Sequence, residues 1–217
     1  SIQNFVNFLE TSDGEQSTLN PSNLFGITRR RLYDIINVFE SVGCLKKRKC
    51  DLVFWIGQSN IKNHFDSLIK QRKLDNFDIS LEDHFPPEKC IGISNLTVSL
   101  ILMFYILRIE KLDLREVAKF FSRKSERYRT TLNKLYQIVH ITSSINLITR
   151  TQNLGEVIID SNLFGFEIIK EIDDIKINLE SIQSFLNTNE SKIYKNVQKK
   201  RKEFEKCISK SRKCHLL

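Results

Sequence analysis

Shifted forward by 103 positions, the chain meets itself: RRRLYDIINVFESVGCLKK (29–47) falls on LNKLYQIVHITSSINLITR (132–150). Leu32 meets Leu135, Tyr33 meets Tyr136, Ile35 meets Ile138, Ile36 meets Val139, Val38 meets Ile141, Ser41 meets Ser144 and Leu45 meets Ile148. The apolar register is kept while most polar positions change. Two copies of one helix leave this trace when both keep a core and only one keeps a surface task.

The surroundings repeat as well. Ahead of the first copy, Ile2, Phe5, Val6, Phe8 and Leu9 have helical spacing, then come the turn Ser12-Asp13-Gly14 and a short polar segment, Ser17 to Phe25, closed by Gly26. Ahead of the second, Leu96 to Ile109 is a strongly apolar helix, and LDLREVAKFF (112–121) places Leu114, Val117, Ala118 and Phe121 on one face. Each copy is followed by a short alternating pair about a turn: CLKK, RKCD and LVFWIG in the first, LITRT, QNLG and EVIID in the second. Each unit therefore reads helix, helix, helix, β-hairpin. The expected fold is mainly α with small β wings (α+β), as two tandem winged-helix, or helix-turn-helix, domains followed by a C-terminal helical segment. Boundaries are expected at 1–58 for the first domain, 59–93 for a helical linker, 94–160 for a degenerate second domain and 161–217 for a helical or partly disordered region with a basic tail.

Net charge is +8, from 34 Lys+Arg against 26 Asp+Glu. Residues 192–217 hold ten basic and two acidic side chains, so this tail carries the whole excess and the rest balances to zero. Any argument for a polyanionic partner must rest on local polarisation. In the first copy, Leu32, Ile35, Ile36, Phe39 and Val42 turn inward, which leaves Arg30, Arg31, Asp34, Asn37 and Ser41 on the opposite face. Three arginines at a helix N-terminus oppose the macrodipole at about 0.3–1 kcal/mol each. Stability alone does not select them. A guanidinium fork that grips guanine O6 and N7 gains about 1–3 kcal/mol of base discrimination, and phosphates offset the unfavourable position.

Enzymatic readings find little support. With seven Gly and three Pro there is no G-x-G-x-x-G or P-loop pattern. No pair of residues makes a credible nucleophile and base, so no catalytic residue is assigned. Cys207, Cys214 and His215 lack a fourth partner at ligand spacing, so no metal and no cofactor is expected. Five cysteines, odd in number and without C-x-x-C pairing, in a chain beginning without an apolar leader, suggest a reducing compartment. The longest apolar run, Val98 to Ile106, is well short of the about 20 residues a bilayer requires. Trp55 and a neutral His140 are expected in the core.

At RRRLYDIINVFESVG the chain resembles the E-two-F/DP family of cell-cycle transcription factors, whose recognition helix carries R-R-x-Y-D-I-x-N-V. Arg30, Arg31, Tyr33, Asp34, Ile35, Asn37 and Val38 match it, with Leu24-Phe25-Gly26 before and Phe54-Trp55-Ile56-Gly57 after. Two units in one chain resemble the atypical branch, which has tandem domains and works without a separate DP partner. The resemblance implies that Arg30 and Arg31 read G·C base edges of double-stranded DNA, that Arg29, Tyr33 and Asn37 touch backbone, and that Asp34 is a positioning residue. Lys46, Lys47, Arg48 and Lys49 form the first wing and are expected on phosphates. A nuclear, cell-cycle regulator follows, bound as a monomer through its tandem domains, with corepressors or other proteins as further partners.

The second copy departs from the signature. Asn133, Lys134 and Gln137 stand in the places of Arg30, Arg31 and Asp34. Arg123, Lys124, Arg127, Arg129, Lys134 and Tyr136 suffice for backbone contact without base choice. Rival readings are a winged-helix scaffold for protein contacts and a subunit of a heteromeric complex. In the linker, Ile61, Phe65, Leu68 and Ile69 make a helical stripe too short for a zipper, which favours docking between the units. Phe166 to Leu186 reads as a helix packing back or a partner-binding strip. For the basic tail, an import signal, a nonspecific DNA arm and a disordered end all remain open, and Ile193, Val197, Phe204 and Ile208 allow a helix.

Overall fold

A computed structural model describes residues 2–12, 14–17, 25–48, 52–87, 92–164 and 188–213. Helix α1 (Ile2–Thr11) buries Phe5, Val6 and Leu9, spaced one turn apart, and is followed by strand β1 (Glu15–Ser17). Helix α2 (Arg29–Ser41) starts at Thr28, whose hydroxyl accepts the Arg31 amide at 3.4 Å. It stops where Gly43 takes φ +84° and the Cys44 amide reaches back to the Phe39 carbonyl at 3.0 Å. Strands β2 (Leu45–Lys47) and β3 (Leu52–Trp55) form the wing, with Leu45 opposite Trp55 and Lys47 opposite Val53. The Trp55 ring stands edge-on to Phe39 at 5.7 Å and is only partly buried.

The second unit repeats this order. Helix α5 (Ile93–Leu107), strand β4 (Lys111–Asp113), helix α6 (Leu114–Phe121), helix α7 (Tyr128–Thr142) and strands β5 (Ile148–Arg150) and β6 (Glu156–Ile159) follow the connecting helices α3 (Asn60–Gln71) and α4 (Leu81–His84). Each unit closes on a three-stranded antiparallel sheet, ordered β1-β3-β2 in the first and β4-β6-β5 in the second. The strand that turns each hairpin into a sheet is absent from the sequence expectation. Glu15-Gln16-Ser17 has no apolar alternation, and Lys111-Leu112-Asp113 has one leucine, so neither carries a strand signal. The second helix expected in the first unit, over Ser17 to Phe25, falls largely outside the described residues. In α6 the buried residues are Leu114, Val117, Ala118 and Phe120, with Phe121 only partly covered; the expected stripe is displaced because Phe85 and Phe204 stack on Phe120 at 6.3 and 5.5 Å.

The two units pack against each other. Helix α2 lies along α5 and touches α7, while α1 packs on the 3-10 turn Ser143–Ile145 that ends α7. Third helix on first helix and first helix on the end of the third is the reciprocal pattern of an isologous interface. Burial of Val38, on the flank of α2 away from its own core stripe, fits this second contact. The connector is tied to the first unit as well: Asn60 Nδ2 donates to the Gly43 carbonyl at 2.7 Å, and His64 Nε2 lies 3.0 Å from the Ser41 carbonyl. Ile61, Phe65 and Ile69 are buried, with Leu68 at the margin.

The basic tail is helix α8 (Thr188–Lys213), held against α4, α5 and α6. Val197, Phe204 and Ile208 are buried and Ile193 is exposed. Arg201 donates to the Leu107 and Arg108 carbonyls at 3.0 and 2.9 Å, capping the C-terminus of α5. Glu203 accepts the Leu81 amide at 2.7 Å at the start of α4. Lys200 is fully buried and its ammonium donates to the Ile79 carbonyl. Phe166 to Leu186 lies outside the described residues.

Candidate nucleic-acid interface

Because the apolar stripe of α2 faces its own core and Val38 faces the second unit, the N-terminal turn is what remains for a partner. Arg29 and Arg30 are exposed there and Arg31 is half-buried. Among the described residues, no hydrogen bond or ion pair engages the side chain of Arg30 or Arg31. Arg29 lies over the Tyr33 ring, 5.7 Å from its centre, with one guanidinium nitrogen 3.4 Å from the hydroxyl. This contact aligns both for a backbone.

The wing is fastened to α2. Lys47 Nζ donates to Asn37 Oδ1 at 2.5 Å and pairs with Glu40 at 2.6 Å. Arg48 pairs with Glu15 of β1 at 3.4 Å, Lys46 is exposed, and Lys49 lies outside the described residues. Exposed pairs such as these are worth about 0–1 kcal/mol. A phosphate displaces them at little cost.

Asp34 has neither an Arg30 partner nor an open outward face. Its carboxylate accepts a hydrogen bond from Gln137 Nε2 at 2.6 Å. Positions 34 and 137 correspond under the 103-residue repeat, so this is a contact between equivalent residues, the signature of an approximate two-fold axis running between α2 and α7. Gln137, which replaces the signature aspartate in the second unit, supplies the amide donor that a second carboxylate would lack.

In the second unit Arg127, Arg129 and Asn133 are exposed, and Lys134 and Tyr136 are half-buried. Helix α7 begins at Tyr128, whereas the repeat offset places the start of α2 at position 132, so α7 has an extra N-terminal turn that carries Arg129. Arg123 does not join this surface. Its side chain is 7% exposed, paired with Glu82 at 3.4 Å, bonded to the Phe120 and Phe85 carbonyls at 3.0 and 2.6 Å, and laid over the Phe120 ring. The connector has consumed that cation.

His140 is exposed, not in the core, because α7 turns that flank toward the first unit's arginines. Its pKa is lowered from 6.5 by partial desolvation and then by the charges of Arg31 and Arg150. Arg150 also lies 6.0 Å from the centre of the Tyr136 ring. Arg31, His140 and Arg150 thus form a basic seam between the units. Arg150 belongs to the interface although its sequence context did not single it out; the repeat sets it opposite Lys47, which was a signal for a wing cation. The described residues contain no group of three His, Cys, Asp or Glu placed to hold a metal ion, and no helix among them is long and apolar enough to cross a membrane.

Residues 2–57 match the winged-helix DNA-binding domain of the E-two-F/DP family. The chain is 20% identical over 148 residues to "Transcription factor E2F7" of Danio rerio, covering 58% of this chain and 20% of that protein. It is 28% identical over 176 residues to the "transcription factor-like E2FE" of Arabidopsis thaliana (59% and 43%), and 22% over 182 residues to the "transcription factor-like E2FF" of the same plant (69% and 51%). The chain spans between a fifth and about half of the length of these relatives, and each match covers more of it than the first unit alone. With the signature helix in place, its wing attached and the whole arrangement repeated in tandem, the chain is a member of the E-two-F/DP family.

Proposed function

We propose that this chain is a sequence-specific regulator of transcription that grips one duplex with both units, as an intramolecular pseudo-dimer. The observation that carries this reading is the Asp34–Gln137 bond between equivalent positions. It sets the two third helices side by side about an approximate two-fold axis, as a dimer presents its halves to two half-sites. In this reading Arg30 and Arg31 take guanine edges in one half-site, with Arg29, Tyr33, Asn37 and the wing cations Lys46, Lys47, Arg48 and Lys49 on the backbone. In the other half-site Arg127, Arg129, Lys134 and Tyr136 contact phosphates, and Asn133 stands where a guanine reader would be. The cell-cycle role and the nuclear setting are those of the relatives' class.

Selection of bound sequences from a random duplex pool at about 150 mM salt, where nonspecific binding is screened, tests the reading. A GC-containing consensus on one side only, lost when Arg30 and Arg31 are changed to Ala, supports it. A symmetric consensus contradicts the assignment of the second unit, and no consensus at all contradicts sequence reading.

A further inference from the structure

The chain's excess of positive charge sits in a helix that the winged-helix reading does not use. In α8, Lys195, Lys199, Lys202 and Lys206 are all exposed. At about 100° per residue these four fall within about 60° of arc. Val197, Lys200, Phe204 and Ile208, the buried residues, lie on the opposite side. The run Lys199-Lys200-Arg201-Lys202 is thereby split: Lys200 and Arg201 turn inward to backbone carbonyls, and Lys199 and Lys202 turn out.

The acidic residues are sorted as well. Glu203 is committed to the Leu81 amide, and Glu205 lies about 90° from the centre of the lysine stripe. Among the described residues, none of the four lysines makes an ion pair. A helix needing charge only for solubility has no reason to align four cations while placing both carboxylates elsewhere. The helix is also held at Arg201, Glu203 and Phe204, so the stripe keeps a fixed position relative to α7.

We propose that this stripe is a second contact surface for duplex DNA, taking the phosphate backbone outside the segment gripped by the winged helices. From Lys195 to Lys206 the helix rises about 16 Å. One strand of a duplex presents a phosphate about every 3.4 Å along its axis, so the stripe spans about five of them. Charge complementarity selects the occupant, and four independent ammoniums without a planar fork suit phosphates better than bases. The proposal shares a ligand with the proposed function but rests on different residues.

The test uses the full chain and a variant with Lys195, Lys199, Lys202 and Lys206 changed to Gln, checked for unchanged helicity and unfolding midpoint. Binding is measured against salt on a duplex that just covers the selected site, and on one extended by about 20 bp, two helical turns, on each side. On the long duplex the variant should lose about three to four units from the slope of log K against log salt, and weaken equally on specific and random sequence. On the short duplex the two proteins should match. Equal slopes on the long duplex overturn the proposal, as does a loss confined to anionic phosphatidylserine vesicles, which would assign the stripe to a lipid surface. If the wild-type chain shows no sequence preference but the slope still falls, the base-reading proposal fails and this one stands.

Discussion

At the scale of single residues, two guanidinium groups carry specificity and their surroundings keep them available. Changing Arg30 or Arg31 to Ala should cost about 1–3 kcal/mol on the preferred duplex and relax choice at one base pair, measured by competition with single-base variants. Uniform weakening on every sequence would reassign that arginine to the backbone. His140 reports on the same region from the opposite unit. Its depressed pKa means that the folded state prefers neutral imidazole, so its contribution to stability is present above the unfolded value and is lost as pH falls below about 6.5. In a proton NMR titration, Arg31→Ala should raise its midpoint, and added duplex should raise it further because phosphates favour the imidazolium. A midpoint indifferent to Arg31 would separate the two units. Cys44, buried with its thiol pushed up to about 12 by burial and then by Glu10, should resist alkylation until the chain unfolds.

These residues differed in how far their roles could be seen in the sequence. Arg30 and Arg31 were legible because the inward stripe of α2 fixes its outward face. Arg123 was not. Its neighbours Glu82, Phe85 and Phe120 converge only through the fold, and a cation upstream of a basic helix looks the same whether it faces a phosphate or a carbonyl. Asp34 was equally opaque, since its partner lies 103 residues away.

At the scale of elements, the joints matter more than the helices. Gly43 ends α2 at φ +84°, and a Cβ there would sit 2.6 Å from the His64 side chain of α3. Gly43→Ala should therefore destabilise the protein by about 2 kcal/mol or more in denaturant unfolding, through left-handed backbone strain and overpacking together. A neutral result would mean that α3 swings away freely. The joint between α2 and α7 can be isolated by a double-mutant cycle on Asp34→Ala and Gln137→Ala. Its expected coupling is about 0.5–1.5 kcal/mol, and zero coupling would remove that hydrogen bond from the interface. The helices themselves were legible from their apolar periodicity. The short strands β1 and β4 were not, because three residues paired at one edge of a sheet leave no alternation to detect.

At the scale of the whole molecule, the sequence repeat becomes a reciprocal interface, and one chain holds what a dimer would supply from two. The repeat itself was plain in the residues. How its copies face each other was not, because an offset in register fixes correspondence and not orientation. The helical tail was one of several open readings, and it is decided by Arg201 and Glu203, which seal the ends of α5 and α4.

The most direct measurement is the stoichiometry and consensus of the complex on one duplex. Titrating the pure chain against the selected site should give one copy per duplex, with guanines required in one half-site and their requirement abolished by the Arg30→Ala, Arg31→Ala double change. Two copies per duplex, or a consensus that survives the loss of both arginines, would contradict a tandem reader built around α2.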